Sequence, residues 1–596
     1  MRRQHQMPFG IARTETGVTF RLWAPAAAEV GLRLGGHARD RAMARQREGW
    51  FELTLAEAKP GGLYQFVIDG KQPVPDPASR FQPGDVNGPS EIIDPAAFDW
   101  SDDDWHGRPW HEAVIYELHL GTFTAAGGFA GVQDQLERLE RLGVTAIELM
   151  PIADFAGRRN WGYDGVLPFA PDSAYGRPET LKTLICEAHR RGLMVFLDVV
   201  YNHFGPEGNY LPLYAPQFFA QAETAWGKAI DFRGGARRFF IHNALYWLEE
   251  YHVDGLRLDA VHAIEDDGAP HFLVELAEEL RGTLGRPNIH LVLENDKNEA
   301  RYLRRRADRT AVWFDAQWND DFHHAMHVVL TGETEGYYSD YADDPVKRLG
   351  RALTQGFAYQ GERSPFRGAA RGEPSAHLPP SAFVNFIQNH DQIGNRAFGE
   401  RLICLTSRRA LRAAVAILLL APSPPLLFMG EELGAREPFL FFCDFEGALA
   451  EAVRSGRRRE FAHFRAFASE AARAAIPDPL AFETFALSRI THSLANPDPD
   501  FAALYSTLLA LRHREIVPRL LGPHPFSATD ETQGRRLAAH WRLADGSRLS
   551  LCANLSEVEI AAPEQPAERV IWQSDARNGR LAPWTVRWTL AESLAP

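Results

Sequence analysis

The stretch Asp254-Gly-Leu-Arg-Leu-Asp-Ala-Val-His262 predicts a short buried β-strand, because apolar residues recur along it and its glycine can form the turn before the strand. Arg257 and Asp259 are two residues apart, so on a pleated strand both side chains project from the same face. A buried guanidinium beside a carboxylate is costly unless each group satisfies the other. Taken alone, the pair is equally compatible with a structural ion pair inside an α/β core and with a functional site.

Two further strand-like runs also end in an acid. They are His290-Leu-Val-Leu-Glu294 and Phe383-Val-Asn-Phe-Ile-Gln-Asn-His390-Asp391. Three strands that each end in a carboxylate predict one acidic pocket at the carboxyl ends of a parallel sheet. This shared pattern favours the functional interpretation of Asp259.

Length and composition limit the classes of protein to consider. A chain of 596 residues with 45% hydrophobic and 24% charged residues is typical of a multidomain globular protein. The net charge of −14 disfavours nucleic acid and anionic membranes as partners. Residues 1–8 lack the apolar core of a secretory signal, and the apolar run 413–422 is too short to span a bilayer. A cytoplasmic protein is therefore expected, and its four dispersed cysteines predict neither a zinc site nor a disulfide framework.

Residues 1–97 predict an N-terminal β-sandwich. Runs of alternating apolar and polar residues near positions 17–23, 29–34, 50–55 and 63–68 are separated by Gly, Pro and Asp. Trp23, Trp50 and Tyr64 could form a sugar-stacking surface, although aromatic residues in such strands more often belong to the core.

Residues 98–516 predict a (β/α)₈ TIM barrel, the catalytic domain of a multidomain α/β protein. Helical spacing of apolar residues alternates with apolar strands, which indicates a parallel sheet. The expected strands lie near residues 114, 146, 195, 256, 291, 312, 384 and 426, and eight is the number that closes a barrel. A doubly wound sheet is the alternative, disfavoured because no G-x-G-x-x-G motif separates a strand from a helix.

Two insertions and a final domain complete the organisation. An aromatic loop spans residues 203–232, and a helical stretch rich in Arg, Ala and Phe spans residues 438–496. Alternating strands return near 537–543, 549–554 and 568–572, which predicts a small C-terminal β domain over residues 517–596.

Three carboxylates in one pocket can hold a metal ion or divide the work of cleaving a glycosidic bond. The acids here lie far apart in the sequence, one on each strand, and His203, Trp226 and other flat or hydrogen-bonding side chains accompany them. This pattern favours sugar chemistry. Arg257 would keep Asp259 ionised as a nucleophile, and Glu294, ending an apolar strand, could have a raised pKa and donate a proton.

Four ordered regions resemble those of the α-amylase family of glycoside hydrolases. They are Asp198-Val-Val-Tyr-Asn-His203, Gly255-Leu-Arg-Leu-Asp259, Glu294 and Asn389-His-Asp391. The resemblance extends over the whole chain, including both flanking β domains. It implies a (β/α)₈ barrel and a retaining hydrolase that acts on α-glucans.

Four longer segments, 257–264, 293–298, 317–324 and 386–396, and the helical insertion resemble one branch of that family. This closer resemblance implies cleavage of the α-1,4 bond next to a terminal trehalose unit, with release of trehalose and a shortened maltooligosaccharide. Maltooligosyl trehalose and related α-glucans would then be the substrates. No metal or cofactor is expected.

The resemblance also implies roles for individual residues. Asp259 would be the nucleophile, Glu294 the general acid/base, and Asp391 would stabilise the transition state by holding sugar hydroxyls. Asp198 would position Arg257 rather than act directly. The residues expected to bind substrate are Tyr163, His203, Trp226, Arg257, Trp318, Asn319, Asp320, Asp321, His323, His390, Gln392, Asn395 and Arg396.

Two alternatives remain open. A glycogen branching or debranching enzyme would share the three acids but transfer chains or cut α-1,6 bonds. A non-catalytic carbohydrate-binding protein on the same fold would typically lack one of the acids, and all three are present.

Overall fold

The structure is a computed structural model that describes residues 4–35, 39–224, 227–286, 288–562, 568–575 and 580–592. Among these residues, no helix combines the length and the apolar character needed to cross a membrane.

Two antiparallel sheets form the N-terminal β-sandwich, with strand orders β1-β2-β6-β5 and β4-β3-β7-β8, and β9 pairs with β7. The strands are β1 (Gly10–Thr14), β2 (Gly17–Trp23), β3 (Val30–Leu34), β4 (Arg41–Ala42), β5 (Ala44–Arg45), β6 (Trp50–Leu55), β7 (Leu63–Ile68), β8 (Gln72–Val74) and β9 (Ser90–Glu91). Phe20 of one sheet packs edge to face on Tyr64 of the other, with ring centroids 5.0 Å apart. Tyr64 is therefore a core residue, whereas Trp23 and Trp50 are partly buried at the edge of the core.

The central domain is a closed parallel barrel. Its strand order is β20-β19-β18-β17-β14-β11-β10-β21, and a parallel bridge between Asn385 and Pro425 joins the two outer strands. The strands of this domain are β10 (Ile115–Leu118), β11 (Ala146–Leu149), β12 (Ala153–Asp154), β13 (Leu167–Pro171), β14 (Met194–Val199), β15 (Phe219–Thr224), β16 (Gly227–Ile230), β17 (Gly255–Leu258), β18 (His290–Leu293), β19 (Ala316–Trp318), β20 (Phe383–Val384) and β21 (Leu426–Phe428). The (β/α)₈ prediction is confirmed.

One strand prediction was wrong. The strand expected near residue 312 begins at Ala316, and Ala311 instead forms an isolated antiparallel bridge with Arg305. The apolar run before Ala316 therefore belongs to the loop that leads into β19, not to the barrel wall.

Helices surround the barrel and fill the insertion. They are α1 (Leu120–Phe123), α2 (Gly128–Gln133), α3 (Leu136–Leu142), α4 (Pro178–Arg190), α5 (Leu211–Tyr214), α6 (Gly235–Glu250), α7 (Phe272–Leu284), α8 (Asp320–Thr331), α9 (Pro345–Gln355), α10 (His390–Gly394), α11 (Leu402–Leu405), α12 (Arg408–Leu420), α13 (Gly447–Glu460), α14 (Glu470–Ala474), α15 (Phe482–Leu487), α16 (Thr491–Ala495) and α17 (Pro499–Leu511). Gly143 ends α3 in the left-handed conformation, with φ of 101°, and so allows the chain to turn directly into β11.

The C-terminal domain is a β-sheet with strand order β22-β23-β24-β28-β26, beside a separate β25-β27 pair. Its strands are β22 (Ser527–Asp530), β23 (Arg536–Arg542), β24 (Arg548–Asn554), β25 (Ile560–Ala561), β26 (Arg569–Gln573), β27 (Arg580–Leu581) and β28 (Val586–Ala591). Trp588 donates its indole N–H to the carbonyl of Ala416 in α12 at 3.1 Å, so this sheet packs on a barrel helix. The domain boundaries at residues 97 and 516 stay predictions.

The N-terminal sandwich is joined to the barrel by a buried ion pair. Arg80 donates to both carboxylate oxygens of Glu250 at the end of α6, at 2.8 and 2.9 Å. Both side chains are almost fully buried, so the sandwich and the barrel share one interior at this contact.

Candidate active site

The three predicted acids meet at the carboxyl end of the barrel. Asp259 follows β17, Glu294 follows β18, and Asp391 lies in the first turn of α10 after β20. In a (β/α)₈ barrel these strand ends face one pocket. The charges of Asp259 and Asp391 both raise the pKa of Glu294, which is the electrostatic consequence of this proximity.

Asp259 is held as a carboxylate. Arg257 donates to its Oδ1 at 2.7 Å, and Asn202 donates to its Oδ2 at 3.0 Å. Burial disfavours the ionised form, but Arg257, His203 and Asn202 together outweigh burial and lower the pKa of Asp259 below its ordinary value. An ionised carboxylate is the form that a nucleophile requires.

Glu294 has the opposite electrostatic environment. Burial raises the pKa of Glu294 well above its usual range, and the carboxylate of Asp259 raises it further. Its Oε2 accepts the backbone N–H of Ala260 at 2.5 Å and lies 3.7 Å from Nη2 of Arg257. Two neighbouring carboxyl groups with pKa values shifted in opposite directions suit a nucleophile and a proton donor. A retaining mechanism requires the two carboxyl groups to lie about 5–5.5 Å apart, and we predict that separation for Asp259 and Glu294.

Arg257 is fixed from two sides. Its Nη1 donates to both oxygens of Asp198 on the adjacent strand β14, at 2.9 and 2.8 Å. Its guanidinium lies over the ring of Trp318, 4.2 Å from the centroid, which is a cation–π contact. Asp198 thus positions Arg257, the role expected from the sequence, and burial raises the pKa of Asp198 to about 6.

A hydrogen-bonded wall connects Tyr163 with His390. The Tyr163 hydroxyl donates to Asp198 at 2.7 Å, His390 Nε2 lies 2.8 Å from that hydroxyl, and the two rings stack. His390 Nδ1 contacts the carboxylate of Glu117, which lies near the carboxyl end of β10. Burial alone would lower the pKa of His390, but Glu117 outweighs it and raises that pKa. A charged His390 can donate to Glu117 and to Tyr163 at the same time.

The other predicted sugar ligands divide into two groups. Asp391 and Asn395 are exposed, Arg396 is partly exposed, and Asn395 donates to Asp391 Oδ1 at 2.6 Å. Asp320 is partly exposed as well, and burial raises its pKa to about 7. His203 and Gln392 are largely buried, and His203 donates through Nε2 to the carbonyl of Tyr163 at 2.9 Å.

Four of the predicted sugar ligands lie in the interior, and their contact with sugar stays a prediction. Trp318 supports Arg257 from below, and His323 stacks between Phe386 and His327. Asn319 caps α8 and donates to the carbonyl of Gly356 at 3.0 Å. Their side chains have no more than 2% exposure.

The fourth of these residues, Asp321, is fully buried. It accepts from Arg371 at 2.5 Å and from the backbone N–H groups of Ala358 and Tyr359 at 2.7 and 3.0 Å. Burial favours the neutral form of Asp321, but the charge of Arg371 and the hydrogen bonds from Tyr341 and Tyr359 together lower its pKa. Asp321 therefore holds the loop after α9, and its role in binding substrate stays a prediction.

Trp226 lies outside the described residues. Among the described residues, no three His, Cys, Asp or Glu side chains form a group that could hold a metal ion. Sequence reasoning missed Glu117 as the partner of His390 and Asn202 as a donor to Asp259. The signal for Glu117 was its position near the end of a barrel strand, β10. The signal for Asn202 was its place in the 198–203 motif.

Three sequence families match parts of the chain. The catalytic domain of α-amylase matches residues 81–214, carbohydrate-binding module 48 (isoamylase N-terminal domain) matches residues 8–97, and a domain of unknown function, DUF3459, matches residues 525–588.

Among curated relatives, the malto-oligosyltrehalose trehalohydrolases of Saccharolobus solfataricus and Deinococcus radiodurans are each 44% identical to this chain. The first alignment covers 76% of this chain and 80% of the relative, and the second covers 84% and 82%. A 1,4-α-glucan branching enzyme of Corynebacterium jeikeium is 32% identical over only 42% of this chain and 39% of its own.

Solved structures give the same architecture. A Salmonella typhimurium protein solved at 1.4 Å is 46% identical, with a TM-score of 0.94 over 98% of this chain and 100% of that one. A pullulanase from Paenibacillus barengoltzii has a TM-score of 0.71 over 99% and 95% of the two chains, but at 19% identity it is similar in fold alone.

Proposed function

Because the chain belongs to the malto-oligosyltrehalose trehalohydrolase family, we propose that it hydrolyses the α-1,4-glucosidic bond next to the terminal trehalose of maltooligosyl trehalose. The products are trehalose and a shortened maltooligosaccharide. The observation that carries this proposal is the convergence of Asp259 and Glu294 on Arg257, with pKa values shifted in opposite directions.

The reaction follows from these protonation states. Asp259 attacks the anomeric carbon while Glu294 gives its proton to the glycosidic oxygen, so the C–O bond to the trehalose unit breaks and trehalose leaves. The sugar is then held on Asp259 as a glycosyl ester. Glu294, now ionised, takes a proton from water, and the resulting attack releases Asp259 and returns Glu294 to its acid form. Two displacements at one carbon retain its configuration.

The surrounding side chains are proposed to hold the sugar undergoing cleavage. Asp391 and His390 would accept from or donate to its hydroxyls, and Tyr163 would stack on its ring. Asp320, Asn395 and Arg396 are the partly or fully exposed candidates for binding neighbouring sugars. A location in the cytoplasm, and the absence of nucleic acid and membrane partners, stay predictions from the sequence.

Incubation with maltopentaosyl trehalose, and separately with amylopectin, tests the substrate. We expect free trehalose from the first and no change in branching of the second. Chain transfer or α-1,6 cleavage of amylopectin, without trehalose release from the first, would instead identify a branching or debranching enzyme. Binding of both glucans without turnover would identify a carbohydrate-binding protein.

The role of Asp259 is tested separately with Asp259→Ala. We expect turnover to fall by at least roughly 10⁴-fold while oligosaccharide binding persists. Added azide should enter the space of the lost carboxylate and yield a β-glycosyl azide, the product of a single displacement. Normal turnover by Asp259→Ala would exclude this residue as the nucleophile.

A further inference from the structure

The helical insertion after β21 contacts the barrel at several places, and one of them is the chain segment that carries Asp391. Its longest helix, α13, has three consecutive arginines, 457–459, in its last turn. Arg457 is buried, whereas Arg458 and Arg459 are exposed. Of these three adjacent cations, Arg457 alone points into the protein.

Arg457 binds the backbone next to Asp391. Its Nη2 donates to the carbonyls of Gly394 and Arg396, at 2.8 and 3.0 Å, and its Nη1 pairs with Glu460 at 3.0 Å. Gly394 is the last residue of α10, a helix of five residues. The last carbonyls of a helix have no partner within it, so a buried donor at this place satisfies groups that would otherwise lack one.

These two carbonyls flank Asn395, which contacts Asp391 directly. Asn395 Nδ2 donates to Asp391 Oδ1 at 2.6 Å. The contacts form a continuous path from the guanidinium of Arg457, through the peptide groups on either side of Asn395, to the carboxylate of Asp391. Burial lowers the pKa of Arg457, and the charges of Glu460 and Asp391 oppose that shift.

Apolar contacts from the insertion fix the same segment. Ala397 is buried in a small cluster with Phe461 and Ile476 of the insertion. Phe398 packs on Phe467, with ring centroids 5.8 Å apart. The guanidinium of Arg457 itself lies 4.7 Å from the centroid of Phe461.

The insertion also reaches the segment that leads to Tyr163. Trp161 donates its indole N–H to the carbonyl of Leu440 at 2.9 Å, and Asp444 accepts the backbone N–H of Arg158 at 2.9 Å. Gly394 lies so close to Trp161 that a Cβ built on it would be 2.1 Å from the indole ring. The segments bearing Tyr163 and Asp391 thus contact each other beneath the insertion.

We propose that the helical insertion positions Asp391 for catalysis, and that Arg457 is the positioning residue through which it acts. This inference deepens the proposed function and rests on the role proposed there for Asp391. Arg457 touches no reacting atom. It sets the path of the turn from Asp391 to Arg396, and thereby the direction in which the carboxylate of Asp391 faces the sugar.

The test compares Arg457→Gln and Arg457→Lys with Arg458→Gln, a control on the same helical turn. We expect Arg457→Gln to lower kcat by about 10–100-fold, because a misplaced group loses transition-state contacts. KM should change by less than about threefold, since Asp391 is proposed to act mainly in the transition state. Arg457→Lys should recover part of the loss, because one ammonium can still donate to a carbonyl, and Arg458→Gln should retain wild-type kinetics.

A double-mutant cycle with Asp391→Asn separates positioning from a general structural role. If Arg457 acts through Asp391, Arg457→Gln should cost less than about twofold in the Asp391→Asn background. Full additivity of the two losses, or wild-type kcat in Arg457→Gln, would overturn the proposal. If Arg457→Gln fails to fold, the same double-mutant cycle is measured with Arg457→Lys in its place.

Failure of the proposed function has a different signature. If the wild-type protein releases no trehalose but hydrolyses another α-glucan, the proposed substrate is refuted. The double-mutant cycle of Arg457 and Asp391 is then measured on that other glucan. If no glucan is hydrolysed, a crystal structure of Arg457→Gln tests whether Arg457 positions Asp391. An unchanged contact between Asn395 and Asp391 in that structure would refute positioning, and its loss would support it.

Discussion

Asp198 and Arg257 are paired across neighbouring strands, and both oxygens of Asp198 accept from one guanidinium nitrogen of Arg257. The same nitrogen donates to Asp259. The orientation of Asp259, the proposed nucleophile, therefore depends on Asp198 through Arg257. Among the described residues, no hydrogen bond joins the two acids directly.

Replacing Asp198 by Asn should disturb Asp259 through Arg257. The amide offers one acceptor instead of two and no charge, so Arg257 loses its fixed position. We expect kcat/KM to fall by about 10²-fold. Steady-state kinetics measure this, with Asp343→Asn as the control because Asp343 is highly exposed. Activity equal to that of the control would show that Arg257 is positioned without Asp198.

The pH profile should depend on Asp320. Activity requires ionised Asp259 and protonated Glu294, so loss of the Glu294 proton sets the alkaline limb of kcat/KM. Burial is the main cause of the raised pKa of Glu294, and the carboxylate of Asp320 raises it further. Asp320→Asn removes that charge, lowers the pKa of Glu294 and moves the alkaline limb to lower pH.

The pH dependence of kcat/KM, measured across the whole alkaline limb in Asp320→Asn and in the wild-type protein, checks this shift. The acid limb, which reflects Asp259, should move less. A shift of the alkaline limb to higher pH would contradict the assignment of Glu294 as the proton donor.

Asp321 should act on stability and not on substrate binding. Asp321→Ala removes the carboxylate that Arg371 binds at 2.5 Å and leaves that buried guanidinium with Asp296, at 3.6 Å, as its remaining acid. Breaking a buried ion pair from one side costs about 3–5 kcal/mol. Urea unfolding followed by tryptophan fluorescence should show a lower midpoint, with Asp343→Ala as the exposed control. An unchanged midpoint together with a raised KM would restore the sugar-binding role expected from the sequence.

Gly394→Ala should perturb the same turn as Arg457→Gln by a steric route. The added methyl group would overlap the ring of Trp161, and relief of such overpacking costs about 1–3 kcal/mol. We expect a lower thermal midpoint and reduced kcat. Trp161→Phe provides a smaller ring, and combining it with Gly394→Ala should recover part of the loss. No recovery in the double variant would place the clash elsewhere.

Sequence patterns predicted the barrel and its acids because both depend on local rules. Apolar strands alternate with amphipathic helices, and the carboxyl ends of parallel strands meet at one pocket. The strand near residue 312 was misplaced because Ala311-Val-Trp-Phe314 has the composition of a strand, whereas its partner in the structure is Arg305, within the same loop.

The sequence did not show which residues around α8 are buried and which are exposed. Asn319, Asp320 and Asp321 are three consecutive polar residues, and only Asp320 stays accessible. Asp321 is buried because residues 358 and 359, far along the chain, close over it. Similarly, nothing in the Arg457–Arg459 run indicates which arginine faces the protein, since that depends on how the insertion packs on the barrel.

The ion pair between Arg80 and Glu250 limits how this chain could be shortened or recombined. Removing the first ninety or so residues would not free a ready-made catalytic unit, since Glu250 would lose the guanidinium that it binds and the barrel surface under the sandwich would be exposed. Grafting another β-sandwich in its place would require a cation at the same point. Heat should accordingly melt sandwich and barrel in a single step rather than one after the other.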